Sequence, residues 1–346
     1  MKKIVILAAF VAALSAFEGC KKEVVASLPA RESATISVNI SGTPGTRATE
    51  SGTEAENTIN TVDVLVFFAG GSYNGRLDAF GHFTGGPYSV NATTGSRKIY
   101  AVVNSPVDLS AVGTEAELLA VNAALNTQKS ASSQLSNFTM IGSITHVLTA
   151  GINALSVDVS RFASRVRIGT IKRDFASDAL ASQSFSVDAV YLSNIVTTSP
   201  YSLSLTPLAS DFANKLGVTD SAYDLWAKRS VGSTLADGAS VALSGAGNYM
   251  YCMPNSIATD SEAAVFEPQN TKVVVECTLD GLKLYYVVPL GAVAANHSYD
   301  IAELVLTRPG SADPNSKTEV SACTFTINVL PWTVVPVETE LGKYVI

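Results

Sequence analysis

Apolar and polar residues alternate with period two along many short stretches of this chain, and turn residues separate the stretches. "CTFTINV" (323–329) is the clearest case: Cys323, Phe325, Ile327 and Val329 fall on one face, Thr324, Thr326 and Asn328 on the other. That is the pattern of a half-buried strand. The runs "VDVLVFF" (62–68), "RKIYAVV" (97–103), "RVRIGTI" (165–171) and "FSVDAVYL" (185–192) are rich in β-branched and aromatic residues and also predict strands. So do "VVVECTL" (273–279), "KLYYVVPL" (283–290) and "YDIAELVL" (299–306). Asp280-Gly281 sits between two of these runs and predicts a tight hairpin. Helical signals are few. Thr114 followed by Glu117 forms a capping box, with Leu118, Val121 and Leu125 on one helical face. A shorter helix is expected to start at Ser221 and carry Trp226. The pattern as a whole predicts a mostly β protein of two sandwich domains in tandem, with a short helix inserted in the first. The boundary falls near residues 160–165, giving domains 48–162 and 163–346.

The N-terminal part departs from this pattern. Lys2 and Lys3 precede an apolar run from Ile4 to Phe17, too short to span a bilayer as a stable helix and typical of a secretory signal. It ends in "AFEGC", which puts Cys20 where a bacterial lipoprotein carries its lipidated cysteine; Glu18 is unusual there, and ordinary cleavage near Ala16 is the alternative. Residues 1–19 are therefore expected to be a lipoprotein signal and 20–47 a propeptide. The acyl chains on Cys20 would tether the exported chain transiently to a membrane.

Two further segments stand out. In "ATISVNISG", Ile36, Val38 and Ile40 point one way and Ser37 and Asn39 the other, so the strand can fill a groove at a sheet edge. It runs into "SGTPGTRATESGT" (41–53), a Gly/Ser/Thr/Pro loop with Arg47 at its centre. Arg47 is either a solvated cation or a protease site, with Arg47–Ala48 as the bond cut; cleavage at Arg31 instead would leave the strand attached. At the other end, Val329, Trp332, Val334, Val335 and Val337 form an apolar arm in which Pro331 and Pro336 delete backbone donors. Such a strand suits a sheet edge or a detachable position. Together these features fit a polymer: loss of the N-terminal strand opens an edge, and the arm of a neighbouring copy enters it. Five apolar side chains buried at roughly 1.5–3 kcal/mol each supply about 7–15 kcal/mol against the cost of ordering the arm. A head-to-tail contact of this kind propagates as a filament.

Charge and candidate chemistry narrow the function. The formal charge is −7. Residues 1–47 hold six Lys/Arg and three Asp/Glu, so the remainder carries −7 − 3 = −10, which argues against nucleic-acid binding. After Cys20, three cysteines remain, so no disulfide framework is implied, although a Cys252–Cys277 bridge stays open. His82, His146 and His297 are far apart without metal-ligand spacing, "GGSYNG" (70–75) lacks the second glycine of a nucleophile elbow, and "DPN" (313–315) offers a single carboxylate. No catalytic residue, cofactor or metal is expected, and the chain reads as a structural protein, not an enzyme.

The blocks "ATISVNISGTPGTRA", "RKIYAVVNSPV", "RFASRVRIGTIK" and "YYVVPL...NHSYDIAELVLTRPGSADPNSKTEVSACTFTINVLPWTVV" resemble the fimbrillins, the major fimbrial subunits of the Bacteroidales. The resemblance implies two transthyretin-like β-sandwich domains and a lipoprotein precursor acylated at Cys20. It also implies removal of the N-terminal strand by an arginine-specific protease at Arg47–Ala48, and a donor strand from about residue 329 to 346. By the same resemblance, the chain is exported through the periplasm to the outer membrane and surface, associates head to tail and with anchor and tip subunits, and serves adhesion to a host or bacterial receptor. Having both a removable strand and a donor arm favours the shaft over an anchor, tip or accessory role. The competing class is a surface glycan-binding lipoprotein with Tyr73, Phe83 and Tyr88 as an aromatic platform.

Overall fold

Strand formation follows the alternation closely. A computed structural model of the chain describes residues 32–42, 50–128, 136–203, 206–243, 245–260, 269–316, 322–333 and 337–338. The first half carries β1 (Ser33–Gly42), β2 (Glu50–Ser51), α1 (Glu54–Asn57), β3 (Thr58–Ile59), β4 (Val62–Phe68), β5 (Leu77–Phe83), β6 (Tyr88–Thr93) and β7 (Gly95–Val103). It continues with α2 (Glu115–Ala120), β8 (Asn122–Ala124), β9 (Met140–Leu148) and β10 (Gly151–Arg161). The second half opens with β11 (Ser164–Arg173), α3 (Asp178–Ala181), β12 (Phe185–Ser193), β13 (Ile195–Val196), β14 (Thr198–Pro200) and β15 (Phe212–Ala213). Then come α4 (Asp224–Ala227), β16 (Lys228–Thr234), β17 (Ser240–Ala242), β18 (Met250–Cys252), β19 (Lys272–Leu279) and β20 (Leu282–Pro289). It closes with β21 (His297–Leu306), β22 (Cys323–Thr333) and β23 (Val337–Glu338).

The first sheet has seven strands in the order β5-β4-β7-β9-β10-β1-β6. Every neighbouring pair is antiparallel except β1 with β10, which is parallel. The sheet curls until its two outer strands meet. There Asp78 of β5 accepts hydrogen bonds from the Thr93 amide (3.0 Å) and hydroxyl of β6, and the Phe83 and Tyr88 rings pack edge to face at 5.8 Å. Close approach is enforced at Gly142 of β9, where an added Cβ would lie 2.0 Å from the Asp158 carbonyl oxygen of β10. Only glycine fits at that contact.

Among the described residues, the second half forms two larger sheets and the two-stranded pair β13-β15. Of the larger sheets, one runs β17-β11-β21-β22-β2, with β18 also on β11; the other is β16-β12-β19-β20. Sheet membership thus changes between Arg161 and Ser164, while one hydrophobic core runs through both halves. The chain divides into Met1–Glu32 and a compact body, Ser33–Ile346.

Two local expectations are revised. The capping box at Thr114 and Glu117 is formed, but the helix ends at Ala120; Val121 turns extended and Asn122 begins β8, so Leu125 lies in a separate 3-10 turn. A β-branched residue followed by a strand pairing with Pro200 outcompetes another helical turn. The N-terminal strand was expected at a sheet edge, whereas β1 lies inside the sheet with partners on both sides. The hairpin at Asp280-Gly281 forms with φ of 46° and 82°, the left-handed pair that such a turn requires, and sets Leu279 opposite Leu282. Ser221–Tyr223 forms a 3-10 turn leading into α4, which buries Trp226.

Candidate functional site

Strand β1 plugs the gap between β10 and β6. Ala34, Ile36, Val38 and Ile40 point inward and are at most 5% exposed, while Thr35, Ser37, Asn39 and Ser41 face outward. Ile36 lies opposite Asn153 of β10 and Val90 of β6, and Val38 opposite Leu155 and Tyr88. The outer face adds polar ties: the Thr35 hydroxyl donates to Asn91 Oδ1 at 3.0 Å and the Ser41 hydroxyl to Asp158 Oδ1 at 2.5 Å. Burying Ile36, Val38 and Ile40 contributes roughly 5–9 kcal/mol gross, before the backbone ladders on both sides. The next described residue after Gly42 is Glu50; Arg47 and Ala48 lie in the intervening stretch, outside the described residues, as does Cys20.

The C-terminal strand is divided by its burial. Val329 pairs with Tyr299 and is half exposed, but Trp332 is completely buried. The Trp332 amide donates to the Asn296 carbonyl at 2.8 Å, and its own carbonyl accepts from Arg161 Nη1 at 3.2 Å. The Arg161 and Arg165 guanidiniums lie 4.2 and 5.0 Å from the indole centre, and the Phe138 and Tyr251 rings lie 5.6 and 5.9 Å from it. Trp332 therefore belongs to the body. Val334 and Val335 lie outside the described residues; Val337 pairs through its backbone with Thr58.

Beneath the indole is a buried ionic knot that sequence reasoning missed. Thr53 and Glu56 make a capping box on the single turn of α1. The Glu56 carboxylate also accepts from Arg165 Nη1 (3.0 Å) and the Tyr251 hydroxyl (2.7 Å). Arg161 is held by carbonyl groups, donating to Glu56 O at 3.2 Å, to Asn57 Oδ1 and to Trp332 O. Burial depresses the Arg161 guanidinium to about 9 and, together with Glu56, raises the Tyr251 hydroxyl well above its ordinary range. The available signal was Thr53-x-x-Glu56, the same capping pattern that marks α2.

These elements meet around one segment. Glu50 and Ser51 run parallel to Trp332 and Thr333, and Thr58 and Ile59 run parallel to Val337 and Glu338. The stretch that follows Arg47–Ala48 in sequence is thus the one against which the C-terminal strand ends.

The other candidates stay apart. His82 Nδ1 lies 2.7 Å from Asp63 Oδ1, His297 Nδ1 lies 2.7 Å from the Ala295 carbonyl, and His146 is on β9. Cys252, Cys277 and Cys323 are free, buried thiols, so the Cys252–Cys277 bridge is absent; each sits in a strand of the core. Asp313 caps its own turn through the amide of Asn315 at 2.9 Å. Of the platform aromatics, Tyr88 is buried and Phe83 packs on it, while Tyr73 packs on Phe68 at 5.7 Å. A cleft of about 410 Å³ near Pro200, Pro254 and Val293 has no charged residue in its lining among the described residues.

A family model described as major fimbrial subunit protein (FimA) matches residues 34–220, more than half of the chain. No curated protein sequence matches significantly. Among solved structures, a protein of Bacteroides eggerthii assigned to cell adhesion has a TM-score of 0.62 at 19% identity, covering 88% of this chain and 96% of that one. A fimbrilin of Porphyromonas gingivalis has a TM-score of 0.61 at 16% identity, covering 87% and 98%. A tip fimbrial protein of the same organism, crystallised with a C-terminal truncation, has a TM-score of 0.50 at 14% identity, covering 87% and 100%. At these identities the likeness is one of fold.

Proposed function

This chain belongs to the major fimbrial subunit (FimA) family, and from that premise we propose that it is a shaft subunit activated by proteolysis and polymerised by strand exchange. The family is one of structural subunits of cell-surface fimbriae, not of enzymes. Within the proposal, the two sheet systems on either side of residue 162 are two tandem transthyretin-like sandwiches. The precursor is exported as a lipoprotein acylated at Cys20 and reaches the outer membrane. An arginine-specific protease then hydrolyses the Arg47–Ala48 bond. Water adds across it, leaving a carboxylate on Arg47 and a new amino terminus on Ala48.

The observation that carries the proposal is the position of β1. It is an inner strand of the first sheet with four buried side chains, yet it joins the body through a stretch that contains Arg47. Cutting there converts a covalently held strand into a removable one. Its departure uncovers backbone donors and acceptors on both β10 and β6, together with the pockets of Ile36, Val38 and Ile40. Such a slot templates strand addition. The arm beyond Trp332, with Val334, Val335 and Val337, supplies an apolar strand from a second copy. Each copy has one slot and one arm, so the contact propagates. Anchor and tip subunits of the same fimbria, and an adhesion receptor, are the further partners.

The test treats purified precursor with a trace of arginine-specific protease, sequences the new amino terminus and runs the product on an unheated gel. A terminus at Ala48 with heat-sensitive multimers, lost when residues 334–346 are deleted, is the expected result. A clean cut with a persistently monomeric product assigns the chain an accessory role instead. No cut at Arg47 overturns the activation step.

A further inference from the structure

Lys272 stands where an apolar residue would fit. It opens β19, and its side chain is only 4% exposed. By alternation it shares a face with Val274, which packs there with Tyr191 of β12 and Val287 of β20 in a small apolar cluster outside the main core. An ammonium buried beside such a cluster is costly unless it is paired. Two groups from separate loops meet it. Asp260 Oδ2 lies 2.6 Å from Nζ, and Nζ donates to Asn315 Oδ1 at 3.4 Å. A primary amine thus touches a carboxylate and a carboxamide at once.

We propose that Lys272 and Asn315 join in an intramolecular amide bond, with Asp260 moving the protons. Asp260 takes a proton from Nζ, and the freed lone pair adds to Cγ of Asn315. Asp260 hands that proton to Nδ2 and accepts a second from Nζ. The Cγ–Nδ2 bond then breaks. One C–N bond forms, one is lost, and nothing is oxidised or reduced. Of the three Nζ protons, one stays on the new amide and two leave with the displaced nitrogen as ammonium. Asp260 ends ionised, as it began. Its side chain is 36% exposed, which gives the ammonium a way out to solvent. The reaction happens once and within one subunit, so it does not depend on strand exchange.

Each partner is held in place by contacts that do not involve the new bond. The second oxygen of Asp260 accepts from the Asn270 amide at 3.2 Å. Asn315 is presented by its own turn: its amide donates to Asp313 Oδ1 at 2.9 Å, and the Ser316 hydroxyl donates to Asp313 Oδ2 at 2.9 Å. That turn is pinned to β20, because the Tyr285 amide donates to the Ser311 carbonyl at 2.7 Å and the Ser311 amide to the Tyr285 carbonyl at 2.9 Å. From the other side Pro314 packs on Gly217, where φ is 79° and an added Cβ would lie 2.6 Å from the Pro314 carbonyl oxygen. The Gly217 carbonyl in turn accepts from the Tyr191 hydroxyl at 2.9 Å. Holding a nucleophile against its target in this way supplies much of what an uncatalysed amide exchange lacks. The bond ties β19 to the connection between β21 and β22, so a pull on β22 reaches a second sheet through a covalent link.

The test is a mass measurement on the purified full chain, denatured and digested with trypsin. The expected result is a pair of peptides joined through Lys272 and Asn315, lighter than their sum by one ammonia, about 17 Da. Trypsin should also fail to cut after Lys272, whose amine has become an amide. Recovery of a free Lys272 and an unlinked Asn315, whether intact or deamidated, overturns the proposal. Two variants assign the roles. Lys272→Arg keeps the cation but has no amine to acylate, and should lose the link entirely. Asp260→Asn keeps the size of the side chain and should leave Lys272 and Asn315 in separate peptides, with the far-ultraviolet circular dichroism of the wild type. A linked pair at wild-type yield in Asp260→Asn overturns the part given to the carboxylate. Should either variant fail to fold, the wild-type digest decides alone.

Discussion

Arg161 Nη1 donates to the Trp332 carbonyl at 3.2 Å while the same guanidinium lies 4.2 Å from the centre of the Trp332 indole. The last residue of β10 thereby grips the C-terminal strand by backbone and ring together. A stacked, planar cation that also donates in a fixed fork is a role that lysine does not fill. Trp332→Ala is expected to destabilise the body by about 3–5 kcal/mol, the usual cost of emptying a large core site. Trp332→Phe should cost distinctly less. Urea denaturation of the three proteins measures this, and a Trp332→Ala midpoint equal to wild type would show that the indole is peripheral to the fold.

The Glu56 carboxylate accepts from Arg165 Nη1 at 3.0 Å, and the Glu56 backbone carbonyl accepts from Arg161 Nε at 3.2 Å. Glu56→Gln leaves Arg165 buried without its ion-pair partner, and removing one side of a buried pair typically costs about 3–5 kcal/mol. The change keeps the size of the side chain, so a loss of that order reports charge and not packing. Thermal denaturation of the purified variant reads it; a melting temperature within a degree or two of wild type contradicts the pairing's importance.

Much of the fold could be read from periodicity, and what could not has a common cause. All eight predicted runs are strands, with "VDVLVFF" coinciding with β4 from Val62 to Phe68. Alternation says which face of a strand is buried, however, not which strands flank it. Ile36, Val38 and Ile40 gave the inward face of β1 correctly, but its place between β10 and β6 depends on a parallel pairing with residues more than a hundred positions away. The Arg161 and Arg165 side chains look solvent-seeking in sequence, and only the arrival of Glu56, Tyr251 and Trp332 from three other segments makes them core residues. Trp332 was grouped with the arm for its apolar character. In the structure it is completely buried against Arg161, Arg165 and Tyr251, neighbours from distant segments that apolar character alone does not reveal.

The free cysteines are expected to be inert in the folded state. Burial pushes the thiols of Cys252 up to about 12 and Cys323 up to about 11, and that of Cys277 upward as well. The reactive thiolate is therefore scarce at neutral pH, and access is closed. In the cut subunit, a thiol reagent at about pH 8 should label none of the three until denaturant is added, and all three afterwards. Rapid labelling of any one in the native protein would contradict its burial.

Asp63 gives the fold a pH dependence of definite sign. Burial raises its carboxyl above the ordinary value of 3.8, opposed by the hydrogen bond and charge of His82 and reinforced by the charge of Asp108. Between the ordinary and the raised value, the folded protein holds a proton that the unfolded chain has already released. Stability therefore falls as pH rises through that window. Asp63→Asn removes this contribution, so its melting temperature should vary less steeply than that of wild type as pH rises above the ordinary carboxyl value of 3.8. Parallel curves, or a wild type that gains stability relative to the variant over the same interval, would reverse the assignment.

Under the proposed activation, Ile36 separates the precursor from the cut subunit. In the precursor it is fully buried between Asn153 and Val90, and Ile36→Ala should cost about 2–5 kcal/mol. Once residues 1–47 are gone, the same substitution can have no effect, because the residue has left with the strand. The released segment should also be able to return. A synthetic peptide of residues 33–42 added to cut subunit is expected to raise its melting temperature with increasing concentration, as any ligand of the native state does, and to block multimer formation by occupying the slot. The peptide carrying Ile36→Ala should need a higher concentration for both effects, by about tenfold for each 1.4 kcal/mol lost. Dose dependence in both readouts, shifted together by the substitution, identifies the slot between β10 and β6 as the assembly site. Multimers that form unhindered beside saturating peptide place assembly elsewhere on the subunit.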